Sequence, residues 1–194
     1  MCPGKSFTKK TPAVFVDRDG TINQEVGYIG QVKDLMLIPG SAEAIRLINQ
    51  SNRKVVVISN QSGVARGYFD EQVVETINAA LVNMLAAEQA QVDGIYYCPH
   101  HPKGYPPYNI ECSCRKPASG MLLQAADDLN IDLKQSAVIG DKYTDVLTGH
   151  RMGIPGLLVR TGFGEGEIEK YSATWNKAPD FIAVDLLEAV RWLL

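Results

Sequence analysis

The sequence predicts an α/β fold: a doubly wound, Rossmann-like parallel sheet with helices on both faces. Three observations predict it. Short β-branched runs alternate with longer segments of helical periodicity, the runs are joined by helices rather than tight hairpins, and polar residues cluster directly after the runs. Ala13-Val14-Phe15-Val16-Asp17 is the first run, apolar enough to be buried on both faces, and it closes at Gly20. Pro39 and Gly40 break the chain before a helix that opens at Ser41 and carries Ala42, Ile45, Leu47 and Ile48 on its apolar side. Val55-Val56-Val57-Ile58-Ser59 is the second strand, and Asp70 caps a long helix that starts at Glu71 and runs through Glu88. A third strand is expected from Gly94 to Tyr97. After an irregular stretch rich in Pro and Cys come a helix from Ala118 to Asn130, a strand from Ser136 to Gly140 and a helix from Tyr143 to Met152. Gly156 to Arg160 forms a fifth strand, and Asp185 to Leu194 a closing amphipathic helix. No internal repeat interrupts this order.

The bulk properties narrow the function. With 194 residues, 45% hydrophobic and 21% charged, the chain reads as one domain spanning residues 1–194. Lys+Arg 19 against Asp+Glu 22 leaves a net charge of −3, the wrong sign for a general binder of nucleic acid or anionic membrane. No apolar stretch approaches the roughly 20 residues that span a bilayer, and MCPGKSFTKK lacks the apolar centre of a secretory signal. A cytoplasmic protein is expected, acting as a monomer on a small molecule.

The strand ends carry the chemistry. Asp17-Arg18-Asp19-Gly20-Thr21 follows the first strand, Ser59-Asn60-Gln61-Ser62-Gly63 the second, Arg115-Lys116-Pro117 lies in the later loop, and Gly140-Asp141-Lys142 follows the fourth strand. Paired carboxylates with a third from another strand make a hard oxygen cage suited to Mg²⁺, which keeps waters for phosphate oxygens. A lysine, a hydroxyl and turn amides can hold the remaining phosphoryl oxygens. Singly, each piece is ordinary: DxDG occurs in calcium loops, a strand-end serine caps helices, and Gly-Asp makes turns. Their joint order at successive strand ends is what points to phosphate chemistry.

A second cluster is Cys98-Pro99-His100 followed, after eleven intervening residues, by Cys112-Ser113-Cys114. Four soft or borderline ligands in two close pairs match a closed tetrahedral zinc site. A disulfide is disfavoured in the cytoplasm, and redox or core cysteines would not require His100. With all four positions filled by protein no place remains for an activated water, so the expected Zn²⁺ is structural and pins the loop that delivers Arg115 and Lys116.

DxDGT, a strand-end Ser, a Lys and a Gly-Asp pair in this order resemble the haloacid dehalogenase superfamily of phosphohydrolases. The resemblance implies that Asp17 is a nucleophile forming an aspartyl-phosphate and that Asp19 is the general acid and base. It places Mg²⁺ on Asp17, Asp141 and the backbone carbonyl of Asp19. Ser59 and Lys116 would bind the transferring phosphoryl group, and Asp145 would orient Asp141 or metal waters. Members often insert a large cap domain, but 39 residues between Asp19 and Ser59 leave no room for one. Specificity is therefore expected from loops.

Among capless members, the zinc ligands with CRKP resemble a subgroup acting on heptose bisphosphate or histidinol phosphate. GYI, SNQSGVARG, DGIYYCPHHP, CSCRKPASGMLL and GDKYTD lean toward the heptose branch, with a sugar bisphosphate as substrate and a role in nucleotide-activated heptose and lipopolysaccharide precursor synthesis. That similarity implies substrate contacts from Asn23, Glu25, Val26, Gly27, Tyr28, Ser59, Asn60, Gln61, Ser62, Arg115, Lys116 and Lys142, with Arg115 forking to the second phosphate. A histidinol-phosphate phosphatase is the alternative, a non-catalytic phospho-ligand binder a weaker one. Strand alternation turns Arg18 away from the metal. Cys2, His101, His150 and Trp192 are expected to be a terminal thiol, a loop neighbour, a helix-surface residue and tail packing.

Overall fold

The structure, a computed structural model, describes residues 10–194, so Cys2 lies outside the described residues. Six strands form one parallel sheet: β1 (Ala13–Val16), β2 (Lys54–Asn60), β3 (Gly94–Cys98), β4 (Ala137–Gly140), β5 (Gly156–Val159) and β6 (Phe181–Ala183), in the spatial order β3-β2-β1-β4-β5-β6. The chain winds outward from β1 to β3, then returns to the centre and winds the other way. The reversal falls between β1 and β4, paired Val14↔Ala137 through Val16↔Ile139, and a crevice at their carboxyl ends is the usual ligand site of such a sheet.

The β-branched runs form central strands because both faces are covered. Val14, Val16, Val55 and Val57 pack into a core with α1 (Ser41–Gln50), α3 (Glu71–Ala87) and α7 (Leu186–Leu193). Alternate residues Ala13, Phe15, Val56 and Ile58 pack on the opposite face with α4 (Gly120–Asp128). α5 (Tyr143–Arg151) lies close on the sheet because Gly156 has no side chain: a Cβ there would meet the Val146 carbonyl oxygen at 2.5 Å.

Several boundaries differ from the sequence reading. β2 runs from Lys54 through Asn60, one residue past each end of the expected Val55–Ser59 run, and β3 extends to Cys98, which pairs with Asn60. The helix expected over 118–130 is held to Gly120–Asp128, its start set by a turn in which the Gly120 amide donates to the Ser113 carbonyl (2.8 Å). Short α2 (Ser62–Ala65), α6 (Gly164–Tyr171) and β6 were not expected. α6 carries glycines at 164 and 166, and β6 is three residues long, so neither has a strong local signal. His150 is a correction: its side chain is 8% exposed and its Nε2 lies 2.8 Å from an Asp180 carboxylate oxygen that also accepts from the Gly156 amide (2.9 Å). His101 accepts from the Lys103 amide in its loop (3.1 Å), and Trp192 stacks on Phe181 with centroids 4.9 Å apart. Among the described residues no helix is long and apolar enough to cross a membrane.

Candidate active site

Asp17 leaves β1 at the reversal point, its amide donating to the Ile139 carbonyl (2.9 Å) so that the strand alignment with β4 fixes its position. The chain then turns sharply, with the Gly20 amide on the Asn23 carbonyl (2.7 Å) and the Ile22 amide on the Arg18 carbonyl (2.9 Å). Gly20 is required there. Its φ is +82°, and a side chain would collide with the Asp141 carboxylate arriving from the end of β4. Gly162 packs against Gly20 and crowds the same carboxylate.

Lys116 is the hub. Its buried Nζ donates to Asp17 Oδ1 (2.7 Å) and the Ile58 carbonyl (2.9 Å) and forms an ion pair with Asp145 Oδ1 at 2.6 Å. Asn60 grips the Lys116 backbone, donating to its carbonyl (3.1 Å) and accepting from its amide (3.0 Å). Asp145 also accepts from the Lys142 amide (3.0 Å), so this carboxylate orients the lysine and the start of α5. Asp145 thus pairs with Lys116 as well as standing beside Asp141 in the carboxylate cluster.

Burial shapes the electrostatics. Desolvation pushes Asp17 up to about 6 despite the Lys116 charge, with Asp145 adding to the rise. Asp141 is raised well above the ordinary carboxylate range by burial and by Asp17. Carboxylate oxygens of Asp17, Asp141 and Asp145 lie within 4.8 Å of one another, and Asp141 Oδ1 is buried without a hydrogen-bond partner. Among the described residues Asp145 Oδ1 likewise accepts no hydrogen bond, and three clustered carboxylates with two such oxygens suit a hard divalent cation.

Asp19 has the opposite environment. Arg18, itself 1% exposed, forks onto it through Nε (3.1 Å) and NH2 (2.9 Å), while its NH1 donates to Asn78 on α3 (2.9 Å). Asn23 (3.0 Å) and Gln61 (2.8 Å) donate to the same carboxylate. Burial alone would raise Asp19, but the Arg18 charge and these bonds hold it below the ordinary range. Arg18 does point away from the three metal-competent carboxylates, yet it grips the second aspartate.

Asp17, Asp19, Glu25, Gly27, Tyr28, Asn60, Gln61, Ser62, Lys116 and Lys142 all line one cavity of roughly 200 Å³. Lys142 Nζ sits 4.1 Å above the Phe163 ring and 3.9 Å from Glu25. Other expected contacts fall outside the cavity. Asn23 is wholly buried behind Asp19, Ser59 is buried with its hydroxyl accepting from Gln61 (3.2 Å), and Val26 is exposed beyond the rim. Arg115 stands outside too, its NH1 donating to the His100 carbonyl (3.0 Å). Thr144 and Phe163 line the cavity and were missed. Phe163 follows β5, so the strand-end rule could have found it.

The thiols form the second cluster. Cys98 Sγ is 3.4 Å from Cys112 Sγ and 3.1 Å from Cys114 Sγ, and His100 Nδ1 is 3.4 Å from Cys114 Sγ. All four donor atoms lie within 4.8 Å of one another and the three cysteines are free, a donor set that suits a tetrahedral ion. The knot is tied to the pocket, since the Cys98 carbonyl accepts from the Gln61 amide (2.8 Å).

A doubly wound sheet with Asp-x-Asp at its reversal point and a buried lysine across from it defines a hydrolase of the haloacid dehalogenase type. The family described as "HAD-hyrolase-like" matches residues 113–189. The chain is 44% identical over 187 residues to D-glycero-D-manno-heptose-1,7-bisphosphate 7-phosphatase of Thermosynechococcus vestitus, covering 94% of this chain and 95% of that protein. It is 43% identical over 158 residues to D-glycero-beta-D-manno-heptose-1,7-bisphosphate 7-phosphatase of Escherichia coli, covering 80% and 83%. The D,D-heptose 1,7-bisphosphate phosphatase of B. bronchiseptica, solved with magnesium and phosphate, superposes with a TM-score of 0.81 at 31% identity, over 94% of this chain and 97% of that one. The chain belongs to the haloacid dehalogenase-like hydrolases, in the family of these bisphosphate phosphatases, and it is a phosphatase.

Proposed function

We propose that the chain removes the 7-phosphate of D-glycero-D-manno-heptose 1,7-bisphosphate through an aspartyl-phosphate on Asp17. The observation that carries this reading is the Asp17 carboxylate, set at the sheet's reversal point with one oxygen on Lys116 and Asp19 two residues on. A free Asp17 oxygen attacks phosphorus as the bond to the sugar oxygen breaks and Asp19 delivers a proton to that oxygen. Asp19 then takes a proton from water, whose oxygen attacks the aspartyl-phosphate, releasing phosphate and restoring Asp17. Asp19 is held ionised in the ligand-free pocket, which suits the base half of this cycle. For the acid half, the negative phosphate arriving beside it favours the protonated form. Lys116 and Lys142 neutralise the phosphoryl oxygens.

Asp17, Asp141 and the Asp19 carbonyl would hold Mg²⁺, which when bound supplies charge neutralisation at the phosphate. Cys98, His100, Cys112 and Cys114 would hold Zn²⁺ as a structural ion. We further read residues 1–194 as one capless domain, cytoplasmic and monomeric. Only a loop, a short 3₁₀ turn and α1 separate β1 from β2 in support of the capless reading. The product keeps its 1-phosphate, the form that a nucleotidyltransferase activates, which fits supply of nucleotide-activated heptose.

The test is phosphate release from both anomers of the heptose bisphosphate, with histidinol phosphate alongside and EDTA as blank. We expect Mg²⁺-dependent loss of one phosphate, with kcat/KM far above that on histidinol phosphate. The reverse ranking would make histidinol phosphate the substrate, and no turnover of either would leave a phospho-ligand binder.

A further inference from the structure

Arg66 ends α2, its amide donating to the Ser62 carbonyl (3.1 Å), and Ser62 is a wall of the reacting pocket. Its side chain is anomalous. Every other described arginine holds a carboxylate or a carbonyl: Arg18 grips Asp19, Arg160 grips Glu165, Arg191 reaches Glu43, and the remainder donate to backbone oxygens. Among the described residues Arg66 makes no side-chain hydrogen bond or ion pair, and its Nε is buried and unpartnered. A buried donor without an acceptor costs free energy that a bound anion would recover.

Arg66 also lies within electrostatic range of Arg115, and His101 feels both guanidinium groups together with Lys103. Arg115 uses NH1 on the His100 carbonyl and has no carboxylate partner. Arg115 also lies near Tyr28, which lines the pocket. Like charges gathered without a counter-carboxylate at the edge of a phosphate site are an arrangement that an anion stabilises. The cavity of roughly 200 Å³ is below the usual range of about 300–1,000 Å³ for ligand pockets, so a substrate phosphorylated at both ends must extend past the rim.

The structure assigns Arg66, beside Arg115, to a second anion seat at the rim of the pocket, which holds the phosphate that the enzyme does not remove. This rests on the bisphosphate reading above and adds to it a specificity residue contributed by the C-cap of α2. Two planar guanidinium forks suit a phosphate, which accepts paired N–H donors.

The experiment compares kcat/KM on the heptose bisphosphate and on p-nitrophenyl phosphate, which has no second phosphate, for the parent, Arg66→Gln and Arg66→Lys, with melting temperatures as the check on folding. We expect the bisphosphate-to-aryl-phosphate ratio to fall about tenfold or more in Arg66→Gln, mainly through KM on the bisphosphate. Arg66→Lys, keeping the charge but not the fork, should lie between. If the parent strongly prefers the bisphosphate and Arg66→Gln keeps that ratio, whether both rates fall or neither does, the assignment of Arg66 is wrong while the substrate reading stands. If the parent shows no preference, the substrate reading fails and this assignment with it.

Discussion

The phosphate pocket and the cysteine knot are two ligand sites in one chain, built in opposite ways. Asp17 and Asp141 are placed by the ends of paired strands, and Lys116, which follows Cys114 in the loop between β3 and α4, is held to them by buried bonds that need no ion, its contacts with Asp17 (2.7 Å) and the Ile58 carbonyl (2.9 Å). The knot sits in irregular chain between β3 and α4, and three of its four donors are sulfurs only 3.0 to 3.4 Å apart. As thiolates these would repel one another without a cation between them. The pocket's aspartates are therefore preorganised by the sheet, whereas the cysteine cluster lies in irregular chain whose shape a bound cation would fix.

The largest effect should come from the pocket. Asp17→Asn keeps volume and leaves Lys116 its Asp145 and Ile58 partners, so we expect turnover to fall at least ~10³-fold with the fold retained. Single-turnover trapping of phosphoenzyme checks it, and a variant as fast as the parent would remove Asp17 as nucleophile.

Cys114→Ser should act on the other site. Zinc content measured by elemental analysis should drop below stoichiometric, and the melting temperature should fall by roughly 5–10 °C, as expected for a loss of a few kcal/mol in a domain of this size. Circular dichroism of the sheet should be kept. An unfolded chain would show that the knot supports the whole molecule, and the contrast between the two sites would be lost.

The smallest effect sharpens the contrast through pH. Asp17 is raised from 3.8 to about 6 in the metal-free fold, so the folded state binds a proton that the unfolded chain has released. Stability from this group is complete below about pH 4 and declines as pH rises toward 6. Mg²⁺ offsets that loss and competes with the proton, so its stabilising increment should be larger by a few degrees at pH 7.5 than at pH 5. An equal increment at both pH values in thermal melts would place the cation away from Asp17.

The legible parts of the molecule were those with a dense local signal. The apolar runs at 13–16 and 55–59 declared buried strands, Asp70 declared a helix start that the structure confirms by its bond to the Val73 amide (3.0 Å), and both clusters could be read from spacing. β6 and α6 were not legible. A three-residue edge strand has no period, and a helix with two glycines in its first turn is held by packing: a Cβ on Gly164 would collide with the Val159 carbonyl. The partners of Asn23 and Asp145 were not legible either, because a polar residue near a strand end can face the ligand or stand behind the residue that does.

By itself the sequence determined the kind of chemistry: which carboxylates, which lysine and which thiols come together, and in what order along a parallel sheet. Residue type and strand-end position suffice for that, since each parallel strand delivers its carboxyl end to the same edge. Only the tertiary structure decided how the groups are paired. Lys116 meets Asp17 across 99 residues, Arg18 meets Asn78 across 60, and Arg66 Nε finds no partner among the described residues. Burial and proximity then set the charge of each carboxylate, raising Asp17 and lowering Asp19 although they stand two residues apart on one turn.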